Sequence, residues 1–153
     1  MRAFVTFHLD VGVGDAVVAP PEWLTGQDWL AFAGISPARI AALAREQQFA
    51  EKIHAYTLPR RDRTNTRVKD LVDLLLLITL GLPNAEQMRQ ALHATFARRH
   101  THAVPDGLEP PPERWSTAYT ALAAECGLAE TTIDQAFDTV SGYWEALDIQ
   151  QGR

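Results

Sequence analysis

The chain has 153 residues, with 14 Lys and Arg against 19 Asp and Glu, a net charge of −5 and 46% hydrophobic residues. This size and composition fit one globular domain with its own core. The negative charge excludes nucleic-acid binding through a basic body, so an anion site has to be local. The single cysteine, Cys126, excludes an internal disulfide. No signal-peptide pattern opens the chain, and the apolar run 71–78 is too short to span a bilayer, so we expect a cytoplasmic protein without a membrane partner.

The first predicted element is a β-strand over residues 3–11, where residues alternate between two faces and several are β-branched or aromatic. Asp10 lies near the end of this strand between two apolar neighbours. Because Asp is a poor strand former, Asp10 is a candidate for metal or proton chemistry. The alternative is that Asp10 caps the turn that begins at Gly12. A second short strand is predicted over residues 16–19.

The segment that follows Pro20 and Pro21 is rich in aromatic residues. Its pattern predicts a short helix over Thr25–Ala33, with core or interface packing as the role of both tryptophans of the segment. Two alternatives stay open for the next residues. One is a helix that starts at Pro37 and continues into the following helix, and the other is a strand at Arg39–Leu43.

The stretch from Gln48 to Leu80 contains both lysines of the chain and its densest basic cluster. Apolar residues at three- and four-residue spacing predict a helix over 46–57, and Lys52 lies at the border of its apolar face. Pro59 ends this helix. Five cations then occur within ten residues: Arg60, Arg61, Arg63, Arg67 and Lys69.

The next predicted helix, 66–80, is apolar nearly all round and is therefore expected to be buried. Thr66, Lys69, Asp70 and Asp73 nevertheless share one arc of about 100° on it. Since an unpaired buried charge is very costly, this stripe needs water, a partner charge or a ligand. We predict that a carboxylate of the stripe reaches Lys52 or Lys69. The alternative is an exposed stripe with Lys69 paired to Asp73 at i,i+4.

The last third of the chain predicts three helices, at 85–99 with Asn84 as N-cap, at 112–125 and at 130–147, with a proline-rich connector before the last two. His100 and His102 are interpreted as a solvated helix end rather than a metal site. The pattern as a whole predicts an α+β fold that is mainly helical, with a small N-terminal β-sheet of two or three strands packed on a helical bundle. One domain, 1–153, is expected to comprise the segments 1–20, 21–105 and 106–153.

Five motifs in this order and spacing resemble the C-terminal half of the AbiEii nucleotidyltransferase toxin family, of the polymerase-beta-type superfamily: FHLDVGVGD, FAEKIHAYTLPR, RVKDLVDLLLL, TFARRHTHAVP and PPERW. The resemblance covers about residues 4 to 120. Its most specific part is AEK followed some fifteen residues later by R-x-K-D-x-x-D. The resemblance implies transfer of a nucleotide from an NTP to an acceptor, with Mg²⁺ held by strand carboxylates.

The resemblance also implies roles for individual residues. Asp10 matches the third carboxylate of the metal site, Lys52 matches the lysine of AEK, and Asp73 matches the second acid of the motif that contains Lys69 and Asp70. Lysines would bind triphosphate oxygens as point charges. The implied catalytic residues are Asp10, Lys69, Asp70 and Asp73, and the implied nucleotide-binding residues are Lys52, Arg67 and Lys69.

The glycine turn and D-x-D motif of the family do not occur in the 153 residues. Asp10 alone would hold Mg²⁺ weakly, so we expect these residues to be inactive without a complementary half. The alternatives are a non-catalytic module that binds a nucleotide or a protein, and a truncated remnant. Expected partners are the complementary half or a cognate antitoxin, and a second copy through residues 3–11, with nucleic acid only as an acceptor.

Overall fold

The computed structural model describes residues 6, 17–59, 67–81 and 84–147. These residues form two strands and five α-helices, in the order β1 (Glu22–Thr25), β2 (Arg39–Ala42), α1 (Arg45–Thr57), α2 (Val68–Thr79), α3 (Ala85–Arg99), α4 (Ser116–Cys126) and α5 (Ile133–Ala146). Single 3-10 turns lie at Ala31–Ala33 and Glu113–Trp115. The mainly helical α+β class predicted from the sequence is confirmed.

The two strands form an antiparallel pair in which Trp23 lies opposite Ala41 and Leu24 opposite Ile40. The strand alternative for Arg39–Leu43 is therefore confirmed. The helix predicted over Thr25–Ala33 is wrong, because Glu22–Thr25 pairs with β2 and only the last three residues of that range form a 3-10 turn. A local pattern does not reveal a partner strand fourteen or more residues further along the chain.

Several sequence predictions lie outside the described residues. They concern the strand at 3–11 with Asp10, the basic loop at 60–66 and Pro83. The second strand predicted at 16–19 is wrong for residues 17–19, which belong to no strand in the described part of the chain.

The core forms where α1 packs between α2 and α3, while the other side of α2 contacts α4 and α5. The apolar spacing of α1 places Phe49 and Ile53 on the buried side, and α2 is buried over most of its circumference. One buried polar bond crosses this packing, since the Gln47 side-chain amide donates to Thr95 Oγ1 at 2.9 Å. Among the described helices, none combines the length and the apolar character that crossing a bilayer requires.

The helix ends follow local capping rules. The Asn84 side chain accepts a hydrogen bond from Gln87 N at 3.0 Å, as predicted for the start of α3. At the start of α5, Thr132 and Gln135 form a reciprocal capping box, which explains why the helix begins later than predicted. Gly127 ends α4 with φ of +65°, a conformation that glycine adopts without strain.

The β1–β2 sheet leaves apolar side chains uncovered by the described residues. Trp23 is 60% exposed on one face, and Leu24 and Ile40 are 53% and 59% exposed on the other. The sheet reaches the helices through Arg45 of α1, whose side chain lies 3.6 Å from Glu22 and donates to the carbonyl groups at the end of α2. Among the described residues, this polar link joins the sheet to the helical bundle. The sheet consists of Glu22–Thr25 and Arg39–Ala42, whereas the sequence prediction concerned strands at 3–11 and 16–19.

Two leucines of α2, one inside the helix and one at its C-cap, provide a test of the core. Leu75 is 1% exposed and Leu80 is 68% exposed. We expect Leu75→Ala to lower the free energy of unfolding by about 2–5 kcal/mol, because it leaves a cavity between α2 and its neighbours. Leu80→Ala is the matched control and is expected to change it by less than about 0.5 kcal/mol. Urea unfolding followed by circular dichroism measures both, and equal losses would contradict the placement of α2.

Candidate functional site

The site is organised around the ammonium group of Lys52. Its Nζ lies 3.0 Å from Asp70 Oδ1 and 2.6 Å from Asp73 Oδ2. The helix α1 supplies the lysine and the first two turns of α2 supply both acids, since Asp70 and Asp73 are three residues apart and share one face of the helix. The predicted meeting of Lys52 with a carboxylate of the stripe is therefore confirmed.

Lys69 lies elsewhere. It is exposed and lines a separate cleft of about 200 Å³, together with residues of α2 and α4 that include Asp73 and Cys126. Asp73 thus lies between the two clefts and pairs with Lys52 of the neighbouring helix. The pairing of Asp73 is therefore a tertiary contact, which differs from the alternative of an i,i+4 pair with Lys69.

Asp70 is the most buried charge of the cluster, with 5% of its side chain exposed. One carboxylate oxygen accepts a hydrogen bond from Lys52, and the other lies 3.5 Å from Arg67 Nη1. Within the described part of the chain, Asp70 Oδ2 has no hydrogen-bond partner. Its position in the first turn of α2 is favourable, because a helix N-terminus stabilises negative charge.

The two acids determine the protonation of Lys52. Burial of the ammonium group lowers the pKa of Lys52, but the hydrogen bonds that Lys52 donates to Asp73 and Asp70, together with the negative charges of both acids, outweigh this effect. The pKa of Lys52 is therefore raised above 10.5. Lys52 remains a full positive charge at neutral pH, held in place by two carboxylates.

A cleft of about 330 Å³ adjoins this cluster. Lys52, Arg67 and Asp70 line it where α1 meets α2, and Glu51, His54 and Arg99 form the wall where α1 meets α3. Ala55 and Leu58 complete the lining. Arg99, at the end of α3, lies 2.8 Å from Glu51 of α1. The cleft therefore has three cations and two carboxylates along its two walls.

Sequence reasoning missed the wall formed by Glu51, His54 and Arg99. The opposite charges of Glu51 and Arg99 were the available signal, but 48 residues separate them and their pairing depends on how α1 packs on α3.

The interpretation of His102 as a solvated residue is wrong. His100 has φ of +51° and turns the chain back, so that the His102 ring lies 4.9 Å from Phe96 and 4.8 Å from His54.

The metal ligands implied by the resemblance can be compared with the described residues. No group of three or more His, Cys, Asp or Glu side chains within them is arranged to hold a metal ion. Asp70 and Asp73 already bind the Lys52 ammonium group, which a metal ion would have to displace. Asp10, the metal ligand implied by the resemblance, lies outside the described residues.

A family model described as "Nucleotidyl transferase AbiEii toxin, Type IV TA system" matches residues 2–141. The chain belongs to this family. The match includes both α1 and α2 and confirms the resemblance inferred from their motifs. Membership identifies a nucleotidyltransferase-type toxin of a toxin–antitoxin system, which implies a cognate antitoxin as a partner. No curated protein matches the chain.

The two lysines allow a matched test of the cluster. We expect Lys52→Met to lower the free energy of unfolding by about 2 kcal/mol, because Asp70 stays buried and loses its closest cation. Lys69→Met is the control, with an expected change below about 0.5 kcal/mol at its exposed position. The double variant Lys52→Met with Asp70→Asn should lose less than the sum of the single variants. Additive losses in denaturant unfolding would show that Lys52 and Asp70 do not interact.

Proposed function

We propose that this chain takes part in the transfer of a nucleotide from an NTP to an acceptor in the cytoplasm, and that the cleft beside Lys52 receives the triphosphate. The observation that carries the proposal is the ammonium group of Lys52, held by Asp70 and Asp73 at a cleft that Arg67 and Arg99 also line.

The geometry of Lys52 suits a phosphate oxygen. An ammonium group has three N–H donors, and two of them are directed to Asp70 and Asp73. The third donor remains for a ligand. In nucleotide transfer, negative charge builds up on the phosphate oxygens and on the leaving pyrophosphate, so a cation fixed in advance stabilises the transition state. The two acids thus serve as positioning groups for the lysine.

Arg67 and Arg99 extend the cationic surface. Arg67 directly precedes α2, where the helix N-terminus also favours an anion. Arg99, at the end of α3, also lines the cleft and pairs with Glu51. We assign nucleotide binding to Lys52 and Arg67. Lys69, which lies at the neighbouring cleft, would contact the acceptor or the far end of the nucleotide.

Asp70 has a further role in this proposal. Its Oδ2 is buried and has no hydrogen-bond partner among the described residues, which is costly unless a ligand or water donates to it. A donor group of the acceptor other than the attacking hydroxyl has suitable chemistry. Together with Asp73, Asp70 would orient the acceptor as well as Lys52.

The 153 residues contain no D-x-D motif. We propose that the carboxylates that hold Mg²⁺ beside Asp10 come from outside the 153 residues, from further chain or from a complementary polypeptide. The given residues would then correspond to the C-terminal half of the enzyme and would not transfer nucleotides alone.

A second candidate is a non-catalytic module that binds a nucleotide or a protein. It is favoured by the pairing of cations with acids inside the cleft, as in Glu51 with Arg99, because such pairs also occur as structural links. A truncated remnant would share the same fold. Measured transfer distinguishes these candidates from the enzyme.

The transfer experiment compares the chain alone with the chain mixed with a polypeptide that carries the glycine turn and D-x-D. Labelled NTP is supplied with total RNA or total protein as the acceptor. We expect no transfer by the chain alone and clear transfer by the mixture. Lys52→Ala and Asp70→Asn should lower the rate of the mixture about 10²- to 10³-fold, because each removes a group that stabilises or orients the phosphates.

His93→Gln is the control variant for this experiment, because His93 is exposed on α3 and does not line the cleft. Circular dichroism confirms that each variant is folded. Transfer by the chain alone would refute the proposed need for outside carboxylates. A mixture without activity would favour the non-catalytic module or the remnant.

Nucleotide binding can be measured without the complementary polypeptide. We expect ATP to bind weakly, with an affinity that falls as NaCl rises from about 50 mM to about 500 mM, because the contacts are exposed charges that salt screens. Arg67→Gln should weaken binding by up to about 1 kcal/mol. Arg114→Gln is the control, since Arg114 is exposed and does not line the cleft. Calorimetry that shows equal affinity for both variants would contradict the assignment of Arg67.

A further inference from the structure

A chain of hydrogen bonds lies behind the wall of the cleft that carries His54. The His54 Nε2 atom lies 2.7 Å from Thr101 Oγ1, which lies 3.0 Å from His102 Nδ1. The other nitrogen of His102, Nε2, lies 2.8 Å from Thr57 Oγ1. Thr57 Oγ1 in turn donates to the carbonyl oxygen of Ile53 at 2.9 Å.

The Ile53 carbonyl determines the direction of every bond in this chain. A carbonyl oxygen only accepts, so the Thr57 hydroxyl donates to it and accepts the proton of His102 Nε2. A neutral imidazole carries one N–H, so His102 Nδ1 accepts from the Thr101 hydroxyl. Thr101 Oγ1 then accepts from His54 Nε2–H. With both rings neutral, this assignment satisfies all four contacts and leaves the lone pair of His54 on Nδ1.

The ring of His54 is held firmly. His54 is 6% exposed, packs edge-on against Phe96 at 5.0 Å and stands beside His102 at 4.8 Å. It is also one of the residues that line the cleft, and within the described part of the chain no hydrogen bond engages its Nδ1. A hydrogen-bond acceptor of fixed orientation is therefore available in the same cleft as Lys52.

Burial, together with the neighbouring groups, favours the neutral form of His54. Burial lowers the pKa of His54 below 6.5, and the neighbouring His102 and Arg99 lower it further, while Glu51 acts in the opposite direction. Burial also lowers the pKa of His102. Lys52, Arg67 and Asp70 are the other charged groups of the cleft. At neutral pH the Nδ1 of His54 is consequently free to accept a proton.

We propose that His54 is a catalytic residue that removes the proton of the acceptor hydroxyl, and that Thr101, His102 and Thr57 are positioning residues that hold its tautomer. This inference rests on the proposed function. The acceptor oxygen forms a bond to the α-phosphorus of the NTP, and the bond from that phosphorus to the bridging oxygen breaks. Pyrophosphate leaves with the electron pair, and the acceptor proton moves to His54 Nδ1.

The tautomer is measured first, on the chain alone. Long-range ¹H–¹⁵N correlation spectra of the ¹⁵N-labelled chain are recorded from about pH 5 to about pH 8, with His54→Gln to assign the His54 signals. We expect His54 in the Nε2–H form at neutral pH, with a pKa below 6.5. Thr101→Val should populate both tautomers, because the Nε2–H loses its acceptor. A His54 that carries its proton on Nδ1 would overturn the inference.

The kinetic test uses the chain mixed with the polypeptide that carries D-x-D. For the wild type we expect the transfer rate to rise with pH through the pKa of His54 and then level off. His54→Gln should lower the rate by about 10²- to 10⁴-fold and remove this rise, as loss of a general base does. Added imidazole should restore part of the rate of His54→Ala, which loss of a purely structural contact would not allow.

His93→Gln is again the control and should keep the rate and the pH profile of the wild type. An unchanged rate and pH profile in folded His54→Gln would overturn this inference and leave the proposed function intact. Absence of transfer by the wild-type mixture at every pH would overturn both.

Discussion

The shared ammonium group of Lys52 is the constraint on which the arrangement of α1 and α2 depends. Asp70 is almost fully buried, and a buried carboxylate without a cation would cost several kcal/mol. Lys52 supplies that cation from the neighbouring helix and at the same time binds the more exposed Asp73. The contact therefore favours this rotation of α2 relative to α1, and in the proposed function the remaining N–H of the lysine would donate to a phosphate oxygen.

The part of the site that could be predicted from the sequence is the part that helical periodicity controls. The nearly all-apolar α2 and the border position of Lys52 on α1 place the lysine and both acids at one helix pair. Periodicity does not say which helices pack together beyond this pair. The wall formed by Glu51, His54 and Arg99 depends on α3 lying against α1, and the histidine network depends on the turn at His100.

In the β1–β2 hairpin, too, the local sequence pattern does not determine the structure, here at the level of secondary structure. The sequence left a helix and a strand open for the residues of β2, and the strand forms because these residues pair with β1. The helix caps, in contrast, depend on residues two or three positions apart, as with Asn84, and were predictable to that extent. Local rules thus account for the residue at which α3 begins. The packing of α3 on α1 accounts for the position of Arg99 at the cleft.

The four tryptophans fall into two environments, and this affects how the protein behaves as a spectroscopic sample. Trp115 and Trp144 are 4% and 3% exposed in the helical core, whereas Trp23 and Trp29 are 60% and 76% exposed near the sheet. The intrinsic fluorescence is consequently a sum of a blue-shifted and a red-shifted emission. A soluble quencher such as iodide reaches the second pair first. A partner that covers the hairpin would therefore change the accessible emission while leaving the core emission and the helical signal unchanged.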